Sequence, residues 1–86
     1  MYSVLYSKQA TKDINKLQHS NLNKKAKALV EIIKLNPYQN PPPYEKLIGD
    51  MQGYLSRRIN IRHRLVYKVL ENERTVKIYR MWTHYE

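Results

Sequence analysis

Residues 54–82 read YLSRRINIRHRLVYKVLENERTVKIYRMW, and most of the stretch alternates in character from one residue to the next. In its middle part Leu65, Tyr67 and Val69 fall on one side of the alternation, and Arg64, Val66 and Lys68 on the other. A period of two marks a strand with one buried face. Three strands are expected, Tyr54 to Asn60, His63 to Leu70 and Thr75 to Trp82, with Glu71-Asn72-Glu73-Arg74 as a polar turn between the last two. Connections this short leave no room for a parallel crossover, so the three form an antiparallel meander.

Upstream the period lengthens. Tyr2 to Tyr6 is β-branched and aromatic, a short strand, and Ser7 suits a helix N-cap. Ala10, Ile14 and Leu17 then recur at helical spacing, with Lys8, Lys12 and Lys16 along another face. Asn21 is placed to cap a second helix, whose stripe is Leu22, Ala26, Leu29, Val30 and Ile33. Pro37 ends that helix near Asn36, because the residue before a proline avoids helical geometry. The loop from Pro37 to Pro43 carries three consecutive prolines and is stiff. The order is one strand, two helices, then three or more strands. The expected fold is α+β, a small antiparallel sheet with two N-terminal helices packed on one face. The other face then carries Tyr54, Ser56, Arg58, Arg64 and Lys68. With 86 residues, 1–86 make a single domain.

Composition excludes several function classes. There is no Cys, hence no disulfide framework, thiolate zinc site or Cys nucleophile. No apolar run approaches the roughly 18 residues of a membrane span, and the N-terminus does not read as a secretory signal. A cytoplasmic protein without membrane association is expected. Sixteen Lys and Arg against seven Asp and Glu leave +9, which points to a polyanionic partner. Residues 1–43 carry +5 and residues 44–86 carry +4, so the charge belongs to the folded surface and not to one tail.

The densest basic stretch holds Arg57, Arg58, Arg62, Arg64 and Lys68 without an acid, interleaved with Tyr54 and Tyr67. Arginine forks match phosphate oxygens in pairs, and tyrosine rings stack on unpaired bases. Arg57, Arg58, Lys68 and Tyr54 are therefore candidate RNA or phosphate contacts, against the plainer reading of a solvated basic face. His19, His63 and His84, taken singly, read as solvated side chains, and no metal site is expected. Asp13, Glu31, Glu71 and Glu73 read as surface charges. Glu45 differs, since it follows the rigid loop and enters the sheet.

One ordered set of residues goes further: Glu45 with Leu47; Gly53-Tyr54; Ser56-Arg57-Arg58-Ile59; His63-Arg64-Leu65-Val66-Tyr67; and His84-Tyr85 near the C-terminus. In residues and spacing this set resembles the Txe/YoeB type of bacterial toxin, within the RelE/ParE superfamily. The resemblance covers residues 44–85 closely, and the N-terminal half in its element pattern.

The resemblance implies a RelE-like fold and the toxin of a type II toxin–antitoxin pair. It implies a ribosome-dependent endoribonuclease that cuts mRNA in the A site, without metal or other cofactor. The implied partners are the ribosome and its mRNA, a cognate acidic antitoxin that alone brings the toxin to operator DNA, and in many members a second copy of the toxin. The implied catalytic set is Glu45, Arg64, His84 and Tyr85, supported by Arg58. Cleavage through the 2′-OH needs a base, an acid for the 5′-oxygen and positive charge on the crowded phosphate. Glu45, His84 and Arg64 supply these in turn, and Tyr85 positions a base or the phosphate. Two other readings stay open at this point: a ParE-like toxin that binds gyrase, and a non-catalytic RNA- or ribosome-binding module on the same basic face.

Overall fold

The computed structural model describes residues 1–82. Strand β1 (Ser3–Tyr6) leads into helices α1 (Lys8–Gln18) and α2 (Asn23–Leu35). Strands β2 (Glu45–Lys46), β3 (Tyr54–Arg58), β4 (Arg64–Leu70) and β5 (Thr75–Arg80) follow. Ser7 starts α1 as expected: its Oγ accepts from the Ala10 N–H at 3.0 Å and donates to the Tyr79 carbonyl at 2.7 Å, which ties the helix start to β5. Helix α2 begins without a side-chain cap, and Asn21 does not serve as one. Ser20 takes over that turn, its Oγ accepting from the Leu22 N–H and donating to the Leu17 carbonyl. At the far end Asn36 is extended before Pro37 and the helix stops.

The sheet runs β1-β5-β4-β3-β2. The meander of β3, β4 and β5 is antiparallel, and so is the pairing of β2 with β3. The expected antiparallel sheet thus gains a parallel edge, because β1 lies alongside β5. That pairing joins the two ends of the described chain, with both helices in between, so a crossover of ample length exists. Ala10 and Leu17 of α1 and Ala26, Leu29, Val30 and Ile33 of α2 bury against Leu55, Leu65, Tyr67, Val76 and Ile78 of the sheet. Gly53, with φ at +95°, turns the chain into β3 in a conformation that L side chains rarely adopt.

Register sets the faces. Ser56 lies opposite Val66, Arg57 opposite Leu65 and Arg58 opposite Arg64. Leu55, Arg57, Ile59, Leu65 and Tyr67 share the core side, while Tyr54, Ser56, Arg58, Arg64 and Lys68 share the other. That second face is not evenly solvated, since Ser56 and Val66 are both buried in it.

Asp13 is not the surface charge its type suggested. It is fully buried on α1, and its Oδ2 accepts from the backbone N–H groups of Met81 and Trp82 at 2.9 and 3.1 Å. Gln9 donates to its other oxygen at 2.9 Å, and Arg80 Nε stands 3.6 Å from Oδ2. The chain leaving β5 is thereby fixed, and the Trp82 ring stacks on buried His63 with centroids 3.9 Å apart. Urea or thermal melts check the assignment. Leu65→Ala is expected to cost about 2–5 kcal/mol as a core deletion, and Asp13→Ala about 2–4 kcal/mol because one buried and one partly buried amide lose their acceptor. Arg64→Ala is expected to cost about 1 kcal/mol or less. A larger loss from Arg64→Ala than from Leu65→Ala would invert the faces.

Candidate active site

The face away from the helices gathers Glu45, Arg58 and Arg64 of the residues that resemblance singled out. Glu45 sits on the short strand β2, directly opposite Ser56 of β3. Arg64 opens β4 and crosses the floor made by Ser56. Its Nε donates to Ser56 Oγ at 2.7 Å, and its Nη2 donates to Glu45 Oε1 at 2.9 Å. The Arg64 side chain is 17% exposed and that of Glu45 is 66% exposed. The guanidinium is therefore held at its root by Ser56 and meets Glu45 through Nη2, while the carboxylate stands in solvent. An ion pair with one partner so exposed is worth about 1 kcal/mol or less. It aligns the two groups and yields readily to a competing anion.

Pro43, Tyr44 and exposed Arg58 complete a shallow cleft of about 320 Å³ around Glu45 and Arg64. Two guanidinium groups from facing strand positions, Arg58 and Arg64, thus border one carboxylate. Fork-shaped donors beside a basic oxygen can hold a phosphate and take a proton next to it.

Lys68 and Tyr54 lie on the same face but outside this cleft, four residues along β4 from Arg64, or about 13 Å. The Lys68 ammonium stands 5.5 Å from the Tyr54 ring centroid, and Tyr54 meets Tyr79 at 5.5 Å with tilted rings. These side chains form a half-exposed basic and aromatic shelf, next to the cleft on the open sheet surface.

Arg57 requires a correction. It cannot be an RNA or phosphate contact, because it is fully buried on the core side of β3. Its Nη2 donates to the carbonyls of Pro37 at 3.1 Å and Gln39 at 2.8 Å, and its Nη1 to that of Pro42. Its Nε donates to the Tyr67 hydroxyl at 3.0 Å, which in turn donates to the Pro37 carbonyl at 2.7 Å. Tyr67 is likewise buried and is no stacking platform for a base. Burial pushes its hydroxyl above the ordinary tyrosine range, against the downward pull of Arg57. The neutral hydroxyl can thus serve as donor and acceptor at once.

The alternation already separated Arg57 from Arg58, since Leu55, Arg57 and Ile59 share one parity. Asp13 was equally accessible, three residues after Ala10 and four before Leu17, on the apolar face of its helix. In both cases the residue's charge concealed its position. His84 and Tyr85 lie outside the described residues. The last described residue, Trp82, rests on His63, the chain neighbour of Arg64.

Comparisons with known proteins agree with this architecture. The family described as "YoeB-like toxin of bacterial type II toxin-antitoxin system" matches residues 6–85. A protein of Streptomyces coelicolor named Toxin YoeB is 38% identical over 52 residues, covering 60% of this chain. The matched stretch spans about 60% of the length of the curated relatives. Among solved structures, a YoeB/ParE toxin from Agrobacterium tumefaciens is 28% identical, covers 96% of this chain and 99% of its own, and superposes with a TM-score of 0.87. The YoeB–YefM toxin–antitoxin heterotetramer from Staphylococcus aureus offers a chain 34% identical, with 99% of each chain covered and a TM-score of 0.83.

Proposed function

The chain belongs to the YoeB-like toxins of bacterial type II toxin–antitoxin systems, and from that premise we propose that it is a ribosome-dependent endoribonuclease that cuts mRNA in the A site. The observation that carries the reading is the 2.9 Å contact between Glu45 and Arg64, on an open face beside Arg58. In the absence of RNA the carboxylate occupies one edge of the Arg64 fork. An entering phosphate competes for that edge, so substrate binding releases the Glu45 carboxylate as a base next to the anion.

Glu45 takes the proton of the 2′-OH, and the 2′-oxygen attacks the adjacent phosphorus. Arg64, with Arg58 beside it, holds the non-bridging oxygens of the crowded phosphate. The bond from phosphorus to the 5′-oxygen breaks, and His84 donates the proton that this oxygen needs. Tyr85 positions the phosphate or a base. The upstream fragment ends in a 2′,3′-cyclic phosphate and the downstream one begins with a 5′-hydroxyl. The roles of His84 and Tyr85 rest on the family resemblance. They gain support from the fixing of Met81 and Trp82 by Asp13, on the approach to that segment.

A cleft this open cannot align a flexible RNA unaided, and the ribosome supplies that alignment. The +9 charge favours a polyanionic surface, and Lys8, Lys12 and Lys16 stand exposed along α1. Neutralisation by an acidic antitoxin segment lying over Arg58 and Arg64 fits the same electrostatics, and the S. aureus relative occurs in a complex with YefM.

Primer extension on translating ribosomes tests the reading. The wild-type protein is expected to cut within the A-site codon, and Glu45→Gln and Arg64→Ala to lower the single-turnover rate by about 10²-fold or more. Altered DNA supercoiling without RNA cuts would move the reading to a gyrase-binding toxin, and neither effect would leave a binding module.

Ribosome affinity is expected to fall steeply between 50 and 200 mM salt in a filter-binding assay, through counterion release. Replacing Lys8, Lys12 and Lys16 together by Gln should flatten that slope and spare the chemical step. An unchanged slope would place the contact surface elsewhere.

A further inference from the structure

We propose that Arg57 is a positioning residue for Glu45, acting through the proline loop. The inference rests on the reading of Glu45 as the base. Strand β2 has two residues, and its register with β3 consists of Glu45 opposite Ser56 and Lys46 opposite Leu55. A ladder that short does not fix a side chain by itself. What precedes it does: the carbonyls of Pro37, Gln39 and Pro42 all converge on the one buried guanidinium. The Tyr44 ring, directly before Glu45, lies 5.0 Å from the same group.

The chemistry of the two partners is complementary. Residues 37–43 include four prolines, which offer carbonyl acceptors and no N–H donors. Arginine offers five N–H donors and no acceptor. The ion pairs among the described residues do not include Arg57, so the loop and the Tyr67 hydroxyl are what satisfy its buried donors. Lysine would keep the charge yet lose the fork that reaches three carbonyls at once. The loop end, and Glu45 with it, would then move relative to Arg64, whose own anchor on Ser56 is independent of the loop.

Three readouts on the full-length Arg57→Lys variant test this. The Leu47 amide, which donates to the Tyr54 carbonyl at 2.9 Å, reports the docking of β2. Its hydrogen exchange should accelerate about tenfold or more while amides in α2 and β4 keep their protection. Single-turnover cleavage should slow about tenfold or more, with the substrate concentration for half-maximal rate changed less than about twofold. In a Glu45→Gln background Arg57→Lys should slow the residual reaction no further, because there is no base left to misplace.

If Arg57→Lys does not fold, Tyr67→Phe loosens the same clamp and should move all three readouts in the same direction. Unchanged Leu47 exchange, equal loss of protection throughout the domain, or full additivity with Glu45→Gln would overturn the proposal. If the wild-type protein does not cut RNA, the reading of Glu45 as a base falls instead. Exchange at Leu47 then decides alone whether Arg57 fixes β2.

Discussion

A guanidinium sealed inside so small a domain carries a large desolvation cost unless its donors are met. In this protein the loop that meets Arg57 is also the segment that delivers Glu45 to the edge of the sheet. The cation, the carbonyls of Pro37, Gln39 and Pro42 and the Tyr67 hydroxyl satisfy one another. The path of the chain after α2, the two-residue strand β2 and the cleft wall at Pro43 and Tyr44 all lie on or directly after the segment that this set holds.

The other end of the chain obeys the same logic with opposite sign. Asp13, buried on α1, receives the backbone of Met81 and Trp82 as the chain leaves β5. The buried cation Arg57 thus holds the loop that leads to Glu45, and buried Asp13 holds Met81 and Trp82. Between them Arg64 is anchored separately on Ser56. On the open face, Glu45 and Arg64 thus stand on backbone and side chains that are fastened from inside. Glu45 and Arg58 themselves stand exposed to solvent.

Much of this was legible in the sequence. The helical stripes of α1 and α2, the proline stop and the three-strand meander follow from periodicity, and the parity of β3 and β4 places Arg58 and Arg64 on one face. Two-residue strand β2 carries no period to read. The parallel pairing of β1 with β5 is a contact between chain ends, which local pattern does not encode. Ser56 and Val66 proved buried on a face read as exposed and anion-facing, and the Arg64 side chain lies on Ser56. Arg57 and Asp13 were misread for a different reason: residue type argued for the surface where position argued for the core. The meeting of Glu45 with Arg64, 19 residues apart, follows from the β2–β3–β4 register and was foreshadowed in the sequence by the family pattern alone.

The central claim is that Glu45 acts on a ribose 2′-OH beside a phosphate held by Arg64, and the chemistry of the new RNA ends tests it most directly. After single-turnover cleavage on programmed ribosomes, the account predicts a 2′,3′-cyclic phosphate on the upstream fragment. The downstream fragment should carry a 5′-hydroxyl that polynucleotide kinase labels without prior phosphatase treatment. A 5′-phosphate beside a free 3′-hydroxyl would mean that water, and not the 2′-oxygen, attacked the phosphorus, and would contradict the role given to Glu45.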